Sequence, residues 1–224
     1  MRGDRMGRYL LLMLPLILLA AGCAVPVKTE MGDVVLPAPV LEKLPVTVGV
    51  LYTDEFKTAK HTQKVSVIEY IADLDLSLGL ANISLFDQLT TSMFSNVVYI
   101  DPNSPEELSK QDVDAILEPS LVSIHYGAVI NGIQWSFSLS LTYNVKLYLP
   151  DGDEILTFSI QSNPPPVLKV RTIFSFNDQA RELFDSATRE IAAQFYAEFS
   201  TLPEISNWLN TLEKEGGTRG GLSQ

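Results

Sequence analysis

One segment restricts the possible folds of this chain more than any other, a run of strict alternation near its centre. Between Gln134 and Leu149 every odd position is apolar or aromatic, and every even position except Tyr148 is polar. A period of two predicts a β-strand with one buried and one solvated face. At ~3.3 Å per residue the run would span about 50 Å. Strands of that length are rare, so we expect this one to bend, bulge or overhang its neighbours.

Turn signals stand at both ends of this strand. Asp151-Gly152 predicts a two-residue hairpin turn of the primed type, and Asn131-Gly132 predicts a second hairpin upstream. Both registers place apolar residues opposite each other: Leu147 with Leu156, Val145 with Phe158 and Tyr143 with Ile160 downstream, and Tyr126 with Phe137, Ile124 with Leu139 and Val122 with Leu141 upstream. The sequence therefore predicts a three-stranded antiparallel meander.

Amphipathic helices are available to cover the apolar face of the meander. One is predicted from a cap at Asn82 or Ser84 to about residue 95, and a longer one from Ser175 or Asn177 to about Ser200. Pro203 begins a third, short helix that is expected to end at Leu212. Further strands are predicted at 46–52, 65–71 and 97–100, and loops at 53–64 and 102–110. The predicted class is α+β, a mostly antiparallel sheet covered on one face by two amphipathic helices.

The N-terminus has the composition of a targeting segment. Three arginines within the first eight residues precede an apolar run at 9–21. A membrane-spanning helix needs about 20 apolar residues, so this run is too short for a stable span. Small residues and the only cysteine of the chain follow, in the segment Leu19-Ala20-Ala21-Gly22-Cys23. This order is typical of a cleaved secretory signal.

The same segment resembles the lipobox of bacterial lipoprotein precursors. The resemblance implies cleavage between Gly22 and Cys23, a thioether-linked lipid on Cys23, and an acyl chain such as palmitate on the new amino terminus. Because Ala24 rather than Asp follows, it also implies a lipid anchor in the outer membrane, with the protein facing the periplasm. Several acyl chains on one residue give stable membrane residence. An ordinary signal peptide with an incidental cysteine is the alternative.

Four segments follow from these signals. Residues 1–22 form the signal peptide, 23–45 a lipidated tether or extended arm rich in proline, 46–212 a periplasmic α+β domain, and 213–224 a Gly-rich disordered tail. The order of strands and helices over about residues 45–212 resembles that of YajG-like lipoproteins. Such families are largely known as envelope components without a catalytic centre.

Charge and composition exclude several classes of function. The formal net charge of −11 argues against binding to nucleic acid or to an anionic lipid surface. A single Cys excludes a disulfide scaffold, and one Cys with two His argues against a structural metal site, because so few thiolate and imidazole ligands are available. We expect no cofactor.

Candidate catalytic groups have simpler explanations. His125 lies beside serines on a predicted polar strand face, but a flat strand provides neither a strained nucleophile turn nor an oxyanion hole. His61 lies among lysines in a polar segment, a cluster that could alternatively meet a phosphate or an acidic partner. Asp73 and Asp75 lack the spacing of a calcium loop. The chain is therefore not expected to be an enzyme.

The most unusual predicted surface is a hydroxyl-rich strand face. Its members are Ser136, Ser138, Ser140, Thr142, Thr157 and Ser159. A solvated sheet face explains it, and so does a docking platform for an envelope protein or for a second copy. We expect a docking or assembly component of the envelope. The alternative is a lipid carrier or transport auxiliary, which would need a cavity among seven aromatic residues: Phe86, Phe94, Phe137, Tyr143, Phe158, Phe184 and Phe195.

Overall fold

The computed structural model describes residues 26–40, 42–67, 70–101, 112–131, 134–162, 168–170 and 176–220. Its strands are β1 Pro26–Glu30, β2 Leu44–Leu51, β3 Lys60–Val67, β4 Tyr70–Ser77, β5 Phe94–Ile100, β6 Ala115–Asn131, β7 Gln134–Tyr148, β8 Glu154–Gln161 and β9 Leu168–Val170. Its helices are α1 Asp54–Lys57, α2 Gly79–Met93, α3 Phe176–Glu198 and α4 Pro203–Gly220, with a 3-10 turn at Phe199–Thr201. The described residues thus form an α+β structure.

The strands form two mixed sheets rather than one mostly antiparallel sheet, so that part of the prediction is wrong. The smaller sheet has the order β1-β4-β3 and the larger one β5-β2-β6-β7-β8, with β9 also paired to β7. β1 runs parallel to β4, and β2 runs parallel to both β5 and β6. Period-two patterning identifies strands and their buried faces, but it carries no information on the relative direction of strands that are distant in sequence.

The predicted meander is present as β6-β7-β8. All three downstream apolar pairs are confirmed, from Leu147–Leu156 to Tyr143–Ile160. The turn itself differs from the two-residue prediction, since Leu149 donates its N–H to Asp153 across a three-residue loop. Gly152 has a φ of 100°, the left-handed position of a three-residue hairpin. A register shift beside Leu147 absorbs the extra residue.

The upstream hairpin has the predicted faces at Ile124 and Tyr126 but not the predicted register. Val122, predicted to pair with Leu141 on the buried face, lies instead at the irregularity in β6 and is 54% exposed. Tyr126 pairs with Leu139, and Ala128 pairs with Phe137. The strands separate only after Asn131, which pairs with Gln134. The register therefore differs by two residues along β7. A shift of two keeps every side chain on its own face, so the alternation could not distinguish the two registers.

Residues 53–67 also depart from the prediction. The segment 53–64 was expected to be a loop and contains α1 and most of β3. The single strand expected at 65–71 is instead the two arms of a hairpin, with Val67 paired to Tyr70. β3 is the edge strand of the small sheet, and from Lys60 to Lys64 it carries polar residues on both faces. It therefore lacks the apolar face that makes a strand recognisable.

One continuous core joins the sheets to the helices. α3 packs on β7, β8, β1 and α2, and α4 packs on β8, so three helices rather than two cover the sheets. Aromatic rings pack closely within this core: the ring centroids of Phe195 and Phe199, of Phe86 and Tyr143, and of Tyr52 and Phe56 are 4.8, 5.4 and 5.6 Å apart. α4 runs to Gly220, beyond the expected helix end at Leu212.

The polar residues at the beginning of α2 do not cap it. The helix begins at Gly79, three residues before the expected cap Asn82. Asn82 is buried and accepts a hydrogen bond from the Tyr143 hydroxyl at 2.8 Å. Ser84 accepts the backbone N–H of Val34 instead of capping. Residues that resemble caps in the sequence are thus used for tertiary contacts.

Candidate docking surface

The candidate surface is the outer face of the larger sheet, the side opposite α2 and α3. Even-numbered residues of β7 lie on it, and the odd-numbered residues from Phe137 to Leu147 are buried against the helices. This confirms the predicted division of β7 into one buried and one polar face. Alternation along the strand is the only cause required.

The hydroxyl-rich residues share this face as predicted. Ser138, Ser140 and Thr142 are half-buried, whereas Thr157 and Ser159 on β8 are exposed. Ser136 lies opposite Val129 and Lys169 by register. The pairs across β6 and β7 place small polar residues side by side, Gly127 with Ser138, His125 with Ser140, and Ser123 with Thr142. The result is a strip of mostly small and polar residues across β6, β7 and β8.

A charged and aromatic cluster ends this polar strip near the β7-β8 turn. The ammonium group of Lys146 lies 3.7 Å from a Glu154 carboxylate oxygen and 5.3 Å from the ring centre of Tyr148. The Tyr148 hydroxyl donates to Glu118 at 3.3 Å. Burial, followed by the negative charge of Glu118, raises the pKa of Tyr148 to about 12. Tyr148 therefore remains a neutral hydrogen-bond donor at physiological pH.

The other half of the outer face is apolar, a feature that the sequence analysis missed. Val98, Gly49, Ile116 and Tyr148 lie in one row across β5, β2, β6 and β7. A buried cluster of Ile100, Val113 and Ile116 lies along this half of the face. A Cβ on Gly49 would clash with the Ile100 side chain, so the glycine makes room for that side chain. The uninterrupted apolar run 115–117 is the sequence signal for burial on both faces.

The edges of the two sheets differ in how they are protected. Lysines occupy β3, Lys28 and Glu30 occupy β1, and Glu154 begins β8. At the end of β8 the Gln194 amide pairs with the backbone of Gln161, donating to its carbonyl at 2.7 Å and accepting its N–H at 3.4 Å. β5 contains no charged residue and no proline, and no described strand pairs with its outer edge. Charge, proline and side-chain cover are the usual means of blocking strand addition.

The aromatic residues that a lipid cavity would require are packed against protein side chains. Six of the seven are fully or almost fully buried, and Phe158 is half-buried. Phe199 contacts Phe94, Phe158 and Phe195 with centroid separations of 5.9, 6.3 and 4.8 Å. Of two surface grooves, one of about 380 Å³ lies along α4, and one of about 370 Å³ lies between α3 and residues 30–33, where Phe184 helps to line it.

The candidate catalytic groups occupy ordinary positions on the described strands. His125 is exposed on the outer face, and His61 lies 3.2 Å from the Gln63 side chain. The lysines near His61 belong to β3 and to α1, where Lys57 lies 3.6 Å from Asp54. Within the described ranges, no group of three or more His, Cys, Asp or Glu residues is placed to hold a metal ion.

The segment after the expected lipidation site is an ordered arm over residues 26–36. β1 pairs with β4, and Met31 and Val34 are buried. The Gln88 side chain accepts the N–H of Leu36 at 3.1 Å and donates to the carbonyl of Val34. Of the two predicted alternatives, tether and extended arm, these residues adopt the arm. Gly22 and Cys23 lie outside the described residues, and among the described helices none is long and apolar enough to span a membrane.

No known protein family matches the sequence, and no curated protein matches it. Three solved structures share low structural similarity with the chain. A Xanthomonas campestris protein of family DUF330 is 9% identical, with 85% of this chain and 99% of that chain covered and a TM-score of 0.46. A minor lipoprotein from Acinetobacter baumannii is 14% identical, with 69% of this chain and 92% of that chain covered and a TM-score of 0.36. A Helicobacter pylori homolog of neuraminyllactose-binding hemagglutinin is 12% identical, with 82% of this chain and 99% of that chain covered and a TM-score of 0.43.

Proposed function

We propose that the chain is a lipid-anchored envelope lipoprotein that docks to another envelope protein and catalyses no reaction. The anchor would be the lipid on Cys23, and the outer membrane facing the periplasm would be its location. The single observation that carries the docking role is the uncharged edge of β5 beside the outer face. The other edge strands, β1, β3 and β8, bear charges, and the Gln194 side chain also covers the end of β8.

The β5 edge and the polar strip of the outer face together form a suitable docking surface. Strand addition supplies backbone hydrogen bonds, and adjacent side chains supply specificity. Tyr99 is 54% exposed on β5, and Val122 is 54% exposed at the irregularity in β6. A partner that presents an extended segment to β5 would continue the larger sheet. The packed aromatic core favours this role over that of a lipid carrier.

Position-specific crosslinking tests the docking role. A photo-crosslinking residue is placed at Ser95 on the β5 edge, at Ser140 on the outer face, and at Glu182 on the exposed side of α3 as the control. Each is exposed or half-buried, so substitution should leave the fold intact. We expect the same envelope protein to be captured from Ser95, from Ser140 or from both, and not from Glu182. Equal capture from all three positions would contradict docking. So would a purified chain that captures nothing and carries a noncovalently bound lipid in addition to the lipid on Cys23.

A separate variant tests the anchor. Cys23→Ser is expected to leave an uncleaved precursor or a soluble chain, because the thioether has no other place to form. Detergent partitioning and intact mass measure both outcomes. Unchanged partitioning and processing would refute lipidation and leave the docking result to stand on its own.

A further inference from the structure

A half-buried carboxylate lies beside the outer edge of β5. Asp87 belongs to α2, which packs on β5, and it accepts a hydrogen bond from the Tyr52 hydroxyl at 2.7 Å. The ring centre of Tyr99 on β5 lies 6.3 Å from that of Tyr52. Tyr52 is buried, whereas Tyr99 is 54% exposed. These three residues, here called the edge cluster, therefore present an accessible aromatic ring next to a carboxylate.

The negative charge of the edge cluster is not balanced within the described part of the chain. No Lys, Arg or His among the residues that the structure describes forms an ion pair with Asp87. Burial, followed by the hydrogen bond to Asp87, raises the pKa of Tyr52, and burial, followed by the charge of Asp87, raises the pKa of Tyr99. The neighbours of the carboxylate are thus neutral phenols. A carboxylate has about four acceptor positions, so positions remain for the N–H groups of a cation.

A strand added to β5 would bring side chains to the edge cluster. Tyr99 pairs with the core residue Val50, so both side chains lie on the helix side of the larger sheet. Every second side chain of an added strand would lie on that side too, one strand spacing of about 4.8 Å from β5. Ile83 and Thr91, one turn before and one turn after Asp87 on α2, are half-buried and exposed. This side of α2 is therefore open to a long side chain from the added strand.

From this geometry we infer that the β5 edge binds an extended segment that carries an arginine, whose guanidinium group pairs with Asp87 and stacks on the Tyr99 ring. The inference rests on the proposed docking at β5 and specifies the chemistry of the partner. A guanidinium group can donate two N–H groups to one carboxylate and stack on an aromatic face at the same time. The net charge of −11 also favours the approach of a basic segment.

Peptide binding to the purified full chain tests the inference. The probe is the fluorescein-labelled peptide Thr-Val-Thr-Arg-Thr-Val-Thr, which places its arginine and both valines on one side of a strand. The matched peptide carries citrulline in place of arginine, which keeps the shape of the side chain and removes its charge. Fluorescence anisotropy measures the Kd of each peptide. A photo-crosslinking residue at Ser95 reports whether the peptide lies along β5.

We expect the arginine peptide to bind about 5 to 30 times more tightly than the citrulline peptide, as for one cation–π contact combined with one ion pair. Asp87→Asn keeps an acceptor for the Tyr52 hydroxyl and should abolish this preference. Tyr99→Leu should reduce it severalfold. Glu182→Gln removes one charge from the exposed side of α3 and should leave it unchanged.

Two kinds of failure are distinguishable. If both peptides crosslink to Ser95 and bind equally, or if the preference survives in Asp87→Asn, the recognition of arginine is overturned and docking at β5 remains. An equal loss of preference in Glu182→Gln would overturn it as well, because overall charge would then be the cause. If neither peptide binds, strand addition at β5 and the inference are overturned together. Circular dichroism and the urea midpoint confirm that the variants are folded.

Discussion

The Gln88 side chain helps to hold the arm of residues 26–36 on the folded body, and removing it should loosen residues 34–36. Gln88 makes two hydrogen bonds with the backbone of residues 34–36, and Ser84 makes a third. A hydrogen bond contributes a net ~0.5–1.5 kcal/mol. Gln88→Ala therefore costs about 1–3 kcal/mol of local stability, with Val34 still buried against α2. At about 1.4 kcal/mol per tenfold change, the arm should open roughly 5 to 150 times more often.

Hydrogen exchange of the backbone amides measures this opening directly. The amide of Leu36 should show the largest acceleration, because it loses its acceptor. Gln194→Ala is the matched control, since Gln194 makes the same pair of bonds to Gln161 on the opposite edge of the molecule. That variant should accelerate exchange at Gln161 and leave the arm unchanged. If Gln88→Ala leaves exchange across residues 31–36 at the wild-type rate, the amide does not hold the arm.

Three further predictions concern the stability of the folded domain, measured as the urea midpoint. Tyr143→Phe should cost about 1–3 kcal/mol, because it leaves the buried Asn82 oxygen without its donor; a loss below about 0.5 kcal/mol would contradict this. Gly152→Ala should cost about 1–2 kcal/mol at its positive φ, whereas Gly32→Ala, with open space around it, should be near neutral; equal effects would refute the strain argument. Burial raises the pKa of Tyr148 from 10.0 to about 12, so the unfolded chain releases this proton first. The contribution of Tyr148 to the free energy of unfolding should thus be fully present below pH 10 and be lost as the pH rises towards about 12. The Tyr148→Phe variant should therefore lose less stability over this pH range. An identical pH profile in that variant would show that Tyr148 does not contribute.

The meander could be predicted from the sequence because three independent signals coincide there. Alternation sets the faces of β7, Gly152 sets the turn, and apolar pairing selects the β8 register. Only part of this redundancy exists upstream, where a slip of two residues leaves every face unchanged. The register there depends on the exact turn and on the irregularity between Leu121 and Ser123, neither of which alternation encodes.

The parallel pairings and the small sheet could not be predicted for a different reason. β2 and β5 are joined through a hairpin and two helices, so their direction depends on the connection rather than on either strand. β3 is polar on both faces from Lys60 to Lys64, so it has no apolar face that would mark it as a strand. Asn82 and Ser84 of α2 resemble helix caps in the sequence, but they make tertiary contacts instead. The hydroxyl-rich strip was found because it alternates with core residues. The apolar half of the outer face was missed because its residues come from three strands that are distant in sequence, so no single run of alternation marks it.

The parallel pairing of β1 with β4 has a mechanical consequence. A pull on the amino terminus acts along β1, and the hydrogen bonds to β4 lie across that direction, so all five registered pairs from Pro26–Asp73 to Glu30–Ser77 share the load in shear. A pull directed away from the edge of the small sheet, perpendicular to β1, would instead break the pairs one at a time. Single-molecule pulling from residue 23 along β1 should therefore detach the arm at a higher force than the same pull applied perpendicular to the strand.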